Sequence, residues 1–393
     1  MSPRRPSDDD EPAHANGNGR AHGPVDAERR GHADPLPTSP PIAPVASSPD
    51  AAPPAEQATP LRTLAHYSGL VLASMIGTLF RLGLEALGTY DGAVVFPLAW
   101  VQGVGCGIMG LALARKNQIS WLYPPLYTFL TTGIAGSVTT FSSWMLEAYE
   151  AFANTEHYNR KGLHDTVNGL AYTFVTVMVS TAGLRLGKYV SSLLPRLPRP
   201  RRREDAVRMA KVDGAHDTAS PSHAQGTRLL DLLTFVSAVV SYGAALALYF
   251  AAPRRWRHRA TFAILLAPPG TMLRYALSKI NARAPFLDRF PLGTFIANMV
   301  GTILIAGTYA AERRPGPASN ALACTALGAI HDGFCGCLTT VSTFVVEMGS
   351  IRSERWRWAY VFGSIILGQV LVMAVAGGVG WGVGYGPACR PEA

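Results

Sequence analysis

The chain has 393 residues, of which 48% are hydrophobic and only 16% charged, with 39 glycines and a formal net charge of +9. Outside two polar segments the sequence is too apolar for an ordinary soluble domain. Its Arg and Lys gather at the ends of apolar stretches without aromatic interleaving, so the basic charge points to lipid and topology rather than to nucleic acid.

Residues 1–60 carry thirteen of the 29 prolines and almost no large apolar side chains, which predicts a disordered N-terminal tail with no cleavable signal peptide apparent. Apolar stretches of membrane-spanning length then fall at 65–87, 93–114, 121–146 and 166–187, forming a first four-span unit over 61–194. The segment 195–227 is rich in base, from Arg196 to Lys211, and reads as a disordered cytoplasmic linker. A fifth stretch at 229–251, within 228–252, is bland apart from Ser237 and Ser241 and is given only a topological role. Stretches at 260–280, 290–311, 319–346 and 358–384 make a second four-span unit over 253–386, and 387–393 form a tail.

The cysteines are five, an odd number, and Cys106, Cys324, Cys335 and Cys337 lie in these stretches, with Cys389 in the tail. The pattern argues against a disulfide framework, and the cysteines are expected to act as small apolar packing residues. Cys335 and Cys337 lack partners at zinc-binding spacing.

Arg115 and Lys116 follow the second stretch and Arg185 and Lys188 close the fourth, whereas the 88–92 loop carries Asp91 and no base. The excess of positive charge places the N-terminus and the linker in the cytoplasm. The fifth stretch then turns the second unit over relative to the first. The predicted fold is an all-α integral membrane protein of nine spans: two inverted four-helix repeats joined by a central transmembrane helix. Arg313 and Arg314 would lie outside, against the charge rule.

The most informative pattern is a duplication inside the third helix of each unit. Gly136-Ser137-Val138-Thr139-Thr140-Phe141-Ser142 recurs as Gly336-Cys337-Leu338-Thr339-Thr340-Val341-Ser342, and the match extends from Gly133 and Gly333 to Glu147 and Glu347. Gly77-x-x-x-Arg81 answers Gly270-x-x-x-Arg274, Pro97-Leu98 answers Pro291-Leu292, and Tyr172-x-x-x-Thr176 answers Tyr360-x-x-x-Ser364. A Gly- and hydroxyl-rich break within a membrane helix frees backbone groups, which hydrocarbon cannot satisfy. Such a break is tolerated only where it is buried in protein or lines a cavity. Paired broken helices in related halves are a common way to build a transport site. Gly and Thr also allow helices to pack closely, which explains one break more easily than two matched ones.

The runs Pro291-Leu292-Gly293-Thr294-Phe295-Ile296-Ala297-Asn298-Met299-Val300-Gly301 and Gly333 to Phe344 resemble the signatures of the fluoride channels called Fluc or CrcB. The fused layout with a central span is similar to that of the eukaryotic fluoride exporters of this family, and the resemblance covers about 65–384. It implies a structural Na⁺ held by backbone carbonyls of the broken helices, by position those of Gly136, Thr139, Gly336 and Thr339. It also implies a fluoride pathway with donors at Thr294 and Asn298, which share a helix face. Aromatic edges would come from Phe141 and Trp144 in one half and from Phe344 in the other, where Val341 takes the second aromatic position. Tyr360 and Ser364 would extend a hydroxyl track, while Tyr172 and Thr176 would serve packing.

Arg81 and Arg274 either collect anions near a pore mouth or pair with Glu147 and Glu347 as ion bridges. Asp332 is expected to cap the helix after the second break, and His331 to make local hydrogen bonds. Aligning Pro97 with Pro291 sets Trp100 opposite Thr294 and Val104 opposite Asn298, so one active pore is expected.

The expected function is a fluoride-selective anion channel giving fluoride resistance by passive export, in a monomer at the plasma membrane. The alternative is a proton-coupled small-solute antiporter using Glu147, Glu347 or Asp332. No P-loop for a pump and no nucleophile–base or metal constellation for an enzyme is present in the sequence.

Overall fold

The computed structural model describes residues 59–195, 221–251, 260–282, 289–314 and 321–389. Most of the predicted disordered tail over 1–60 and most of the linker over 195–227 lie outside the described residues. Every regular element among the described residues is helical.

Helix α1, Pro60–Gly88, starts where the Thr59 hydroxyl accepts the Arg62 N–H at 3.2 Å, with Pro60 in the first turn, where a missing N–H is no loss. Helix α2, Pro97–Ala114, opens on a proline in the same way. The third stretch is divided as expected. Its first arm runs through Leu126–Thr128, a π-wound Phe129–Ala135 and a turn at Gly136–Val138. Thr139 (ψ 141°) and Thr140 (ψ 123°) are extended, and α3, Phe141–Ala153, follows in a new direction. Helix α4 is Gly162–Leu193 and the central helix α5 is Pro221–Ala251, which begins within the segment expected to be linker. Helix α6, Phe262–Ser278, leads through a 3₁₀ turn to α7, Leu292–Glu312.

The second break repeats the first. Ala321–Ala329, a π-wound Ile330–Cys335 and Gly336–Leu338 form one arm. Thr339 (ψ 156°) and Thr340 (ψ 137°) are extended, and α8, Val341–Ser350, is the other arm. Helix α9, Glu354–Val372, ends in a π-wound turn and a short helix, Gly378–Gly382.

Among the described residues, seven helices are long and apolar enough to cross a membrane: Pro60–Gly88, Pro97–Ala114, Gly162–Leu193, Thr227–Ala251, Leu292–Glu312, Leu322–Ser350 and Glu354–Gly382. Two other predicted spans are not among these seven: helix α6 has only 17 residues, and the first broken stretch is absent although the second, divided by the same kind of break, is present. The outward faces of α4, α5 and α9 are apolar, with Phe174, Met178, Leu186, Val236, Val240, Phe362 and Ile366 all exposed. Contiguous exposure of this kind suits lipid rather than water. The main core joins residues from both breaks, including Trp144, Met145, Phe141, Val341, Phe344 and Tyr360.

Two expectations are corrected by the packing. The central helix is not chemically bland, because its Asp231 is buried and bonded to α1 and to the start of the third stretch. Arg62 Nε donates to its carboxylate at 2.9 Å, and the Tyr123 hydroxyl donates to it at 2.8 Å. The same helix supplies Tyr242, whose hydroxyl lies 3.4 Å from the Leu265 carbonyl. That carbonyl loses its usual donor because Pro269 has no N–H. The cysteines are not all packing residues either. Cys324 and Cys389 form a disulfide, Cα–Cα 5.9 Å. Gly386 and Cys389 donate backbone N–H groups to Arg313 and Glu312, so the chain after α9 is pinned to the end of α7. The buried Cys106, Cys335 and Cys337 are free and fit the packing role.

Candidate functional site

The two breaks meet and cap one another. Thr339 Oγ1 accepts the N–H groups of Phe141 and Ser142, each at 3.1 Å, at the start of α3. Thr139 Oγ1 accepts the Ser342 N–H at 3.0 Å, at the start of α8. The hydroxyls of Thr139 and Thr340, and of Thr140 and Thr339, lie 3.1 Å apart across the junction. Each half therefore helps to cap the helix of the other, a job that needs a hydroxyl acceptor, and at α3 Thr140 of the same half also accepts the Ser143 N–H at 3.4 Å. Asp332, expected to cap α8, does not. Thr139 of the other half takes that place, and Asp332 contributes its backbone carbonyl to Arg81.

A second pair of side chains holds the extended segments. Asn298 Oδ1 accepts the Thr340 N–H at 2.9 Å and its Nδ2 donates to the Thr340 carbonyl at 3.3 Å. Gln102 does the same for Thr140, accepting its N–H at 3.3 Å and donating to its carbonyl at 2.7 Å. In an unbroken helix the N–H groups of Thr140 and Thr340 would bond the carbonyls of Gly136 and Gly336. Here those N–H groups are diverted to Gln102 and Asn298.

This geometry corrects the alignment of the two halves. A Cβ on Gly105 would meet the Thr139 methyl and Val138, and one on Gly301 would meet the Thr339 methyl and Leu338. Gly105 therefore corresponds to Gly301, Gln102 to Asn298 and Leu98 to Thr294. The alignment from Pro97 and Pro291 is two residues out of phase. Trp100 does not stand across from Thr294 as a plug, since it is 54% exposed on the outer face. Val104 is not the counterpart of Asn298. The first half keeps an amide and loses only the Thr294 hydroxyl.

Arg81 and Arg274 are neither at a mouth nor paired with Glu147 and Glu347. Both are buried. Arg81 donates to the carbonyls of Ser137, at 3.3 Å, and Asp332. Arg274 donates to those of Cys337 and Thr132, each at 2.8 Å. Each guanidinium thus binds one carbonyl from each broken helix. A Cβ on Gly336 would strike the Arg81 guanidinium, and one on Gly136 the Arg274 guanidinium. Glycine is required there for close approach.

The proposed pathway residues of the second half do come together. Thr294 Oγ1 donates to Glu347 Oε1 at 2.7 Å, and the Tyr360 hydroxyl donates to Glu347 Oε2 at 2.7 Å. Asn281 donates to Glu347 Oε1 at 2.8 Å and to Thr294 at 2.9 Å, while its own oxygen accepts the Gly293 N–H. Phe344 lies with its ring centroid 5.2 Å from Tyr360 and 5.7 Å from Phe141 of the other half. Ser364, one turn along α9 from Tyr360, is buried with its hydroxyl unpartnered. Glu347 is the centre that binds these side chains. Sequence reasoning left its role open, and it missed Asn281 and Gln102. Asn281 carried no signal because it lies outside every matched motif.

Among the described residues no group of three His, Cys, Asp or Glu side chains is arranged for a metal ion. A cation at the junction would rest on backbone oxygen. The diverted N–H groups leave the Gly136 and Gly336 carbonyls without their helical donors, and Thr139 and Thr339 are extended, so neutral oxygens of the kind a hard cation prefers are present. The residues fit the implied Na⁺.

The CrcB-like protein, Camphor Resistance (CrcB) family model matches residues 69–188 and again 261–379. The chain belongs to the CrcB family. It is a two-domain member, with one break in each matched segment. Fluoride export protein 1 of Candida albicans is 33% identical, over 80% of this chain and 80% of its own length. Fluoride export protein 1 of Neurospora crassa is 31% identical, over 84% of this chain and 68% of its own length. Fluoride-specific ion channel FluC 1 of Prochlorococcus marinus is 38% identical over 31% of this chain and 90% of its own length. No solved structure matches the chain.

Proposed function

We propose that this chain is a fluoride-selective channel that lets fluoride leave the cytoplasm passively, through one passage in the second half. The names of its fungal and bacterial relatives support the substrate. The observation that carries the reading is the meeting of Phe141 and Phe344 across the two breaks, with Phe344 against Tyr360, Tyr360 joined to Thr294 through Glu347, and Asn298 bonded to the second break. A small anion leaving water needs N–H and O–H donors, and aromatic edges attract it where faces repel. An inside-negative potential supplies about 2.3 kcal/mol per charge per 100 mV, so no pump is needed.

The first-half passage would be closed. A Cβ on Gly183 would strike the Gly103 carbonyl, one on Gly187 the Gly107 carbonyl, and one on Gly110 the Leu184 carbonyl. Helices α2 and α4 therefore touch backbone to backbone, whereas Thr294 of α7 and Tyr360 of α9 meet through the Glu347 side chain. Na⁺ held by Gly136, Thr139, Gly336 and Thr339 would supply positive charge that keeps the freed carbonyls together. Nine spans in two inverted repeats, with α6 and the 121–146 arms crossing as well, complete the topology. The Cys324–Cys389 disulfide supports the orientation, because disulfides persist on the oxidising side of a membrane. Nine spans from a cytoplasmic N-terminus put that end of α7 outside. A monomer at the plasma membrane follows from fusion of the halves and from export.

Glu347 favours a second reading, since a buried carboxylate is what a proton-coupled antiporter requires. Fluoride efflux from liposomes carrying the purified chain separates the two. A channel gives fluoride flux set by voltage, with no stoichiometric proton movement and no chloride flux. Proton exchange locked to solute transport would favour the antiporter.

A further inference from the structure

The proposed passage lies where α3 meets α7 and α9, and at one end Glu347 joins Thr294 to Tyr360. Tyr309 stands about 22 Å further along α7 than Thr294, at the other end. The same three elements are drawn together there. Glu150 of α3 pairs with Arg313, just past α7, at 3.6 Å, and the Arg313 guanidinium lies 3.8 Å from the centre of the Tyr309 ring. A Cβ on Gly377, just past α9, would come 3.4 Å from the Tyr149 hydroxyl of α3.

The chain after Gly382 folds back over this end. Gly384 makes the turn, with φ +81°, a conformation that favours glycine. Tyr385 then lies half-buried, its ring perpendicular to that of Tyr309 at 5.6 Å and its hydroxyl donating to the Ala376 carbonyl. Gly380 leaves room for it, since a Cβ there would strike the Tyr385 ring. Beyond the tyrosine, the Gly386 and Cys389 N–H groups donate to the Arg313 and Glu312 carbonyls at 2.8 and 2.9 Å, and Cys389 is joined to Cys324. A few hydrogen bonds and one ring contact are a weak hold on so glycine-rich a segment, and the disulfide makes it lasting. A tail anchored for stability alone needs no aromatic ring laid on the rim where α3, α7 and α9 converge.

We propose that Gly384–Cys389 is a lid over the end of the passage remote from Glu347, with Tyr385 as its plug and the Cys324–Cys389 disulfide as its latch. The lid rests on the fluoride-channel reading and concerns rate. It narrows the exit, so that fluoride leaves at the speed the tyrosine allows.

The test measures fluoride efflux from liposomes carrying the full chain. Cys389→Ser frees the strap and Tyr385→Ala removes the plug. Each should raise efflux roughly threefold or more, and the double variant no further than the larger single one. Where a variant does not elute as one species, wild-type liposomes are treated with a water-soluble phosphine. The phosphine takes the disulfide to two thiols and becomes the phosphine oxide, with oxygen from water. Cys106, Cys335 and Cys337 are already free thiols, so a rise in efflux on reduction reports the latch. A strap that serves stability alone gives unchanged or slower efflux in both variants and after reduction. That result overturns the lid while the fluoride reading stands. If no fluoride passes through the wild type or through the opened forms, the fluoride reading fails and the lid with it.

Discussion

Replacing Thr339 by valine removes one oxygen from the junction while nearly preserving shape. That oxygen accepts the N–H groups of Phe141 and Ser142, each at 3.1 Å, and lies 3.0 Å from the Ser142 hydroxyl. All of these groups are buried. A buried donor left without an acceptor costs about 1–3 kcal/mol. Two backbone donors share the oxygen, so the loss should be about 2–4 kcal/mol in total. Thr339→Ser keeps the oxygen and loses only the methyl that packs on Gly301, about 1 kcal/mol. Thermal unfolding in detergent, followed by size-exclusion chromatography, should therefore rank wild type, then serine, then valine, with the larger gap between serine and valine. Valine equal to serine would refute the crossed caps as a source of stability.

Glu347→Ala leaves Thr294, Asn281 and Tyr360 without their common acceptor, and fluoride flux should fall by roughly tenfold or more in protein that still elutes as one species. Unchanged flux would remove Glu347 from the site. Asp231→Ala removes the carboxylate that Arg62 and the Tyr123 hydroxyl bond, and breaking such a buried pair should cost about 3–5 kcal/mol, seen as loss of folded protein, with Asp231→Asn milder. Cys389→Ser should expose Cys324 to a membrane-impermeant thiol reagent applied from outside intact cells. Labelling only after the cells are opened would reverse the proposed orientation.

The breaks were legible because hydrocarbon tolerates Gly-Thr-Thr interruptions only in buried or cavity-lining positions, and the repetition marked both at once. The phase of α2 against α7 was not. A proline marks where a helix begins, but Pro97 is the first residue of α2 whereas Pro291 precedes the first residue of α7. The contact that sets phase is a glycine against a threonine methyl, Gly105 on Thr139 and Gly301 on Thr339, and no local pattern reveals it. Arg81 and Arg274 were misplaced for a similar reason. Burial of the guanidinium groups was expected to need Glu147 and Glu347; carbonyls of both broken helices serve instead, joined at Arg81 by the Glu85 carboxylate at 4.0 Å. Asp231 was overlooked as the one acid in an apolar stretch, and its partners Arg62 and Tyr123 are more than 100 residues away in sequence. The Cys324–Cys389 pair spans 65 residues and includes the tail, which spacing alone does not connect.

The most direct test of the central claim compares wild type with Asn298→Asp in liposomes, reading fluoride efflux with a fluoride electrode after a potassium ionophore sets the voltage. Aspartate keeps the oxygen that accepts the Thr340 N–H but replaces the donor with a carboxylate where the anion must pass. The account predicts fast efflux from wild type, none of chloride, and loss of fluoride efflux in folded Asn298→Asp protein. Fluoride efflux near the wild-type rate in that variant would contradict it.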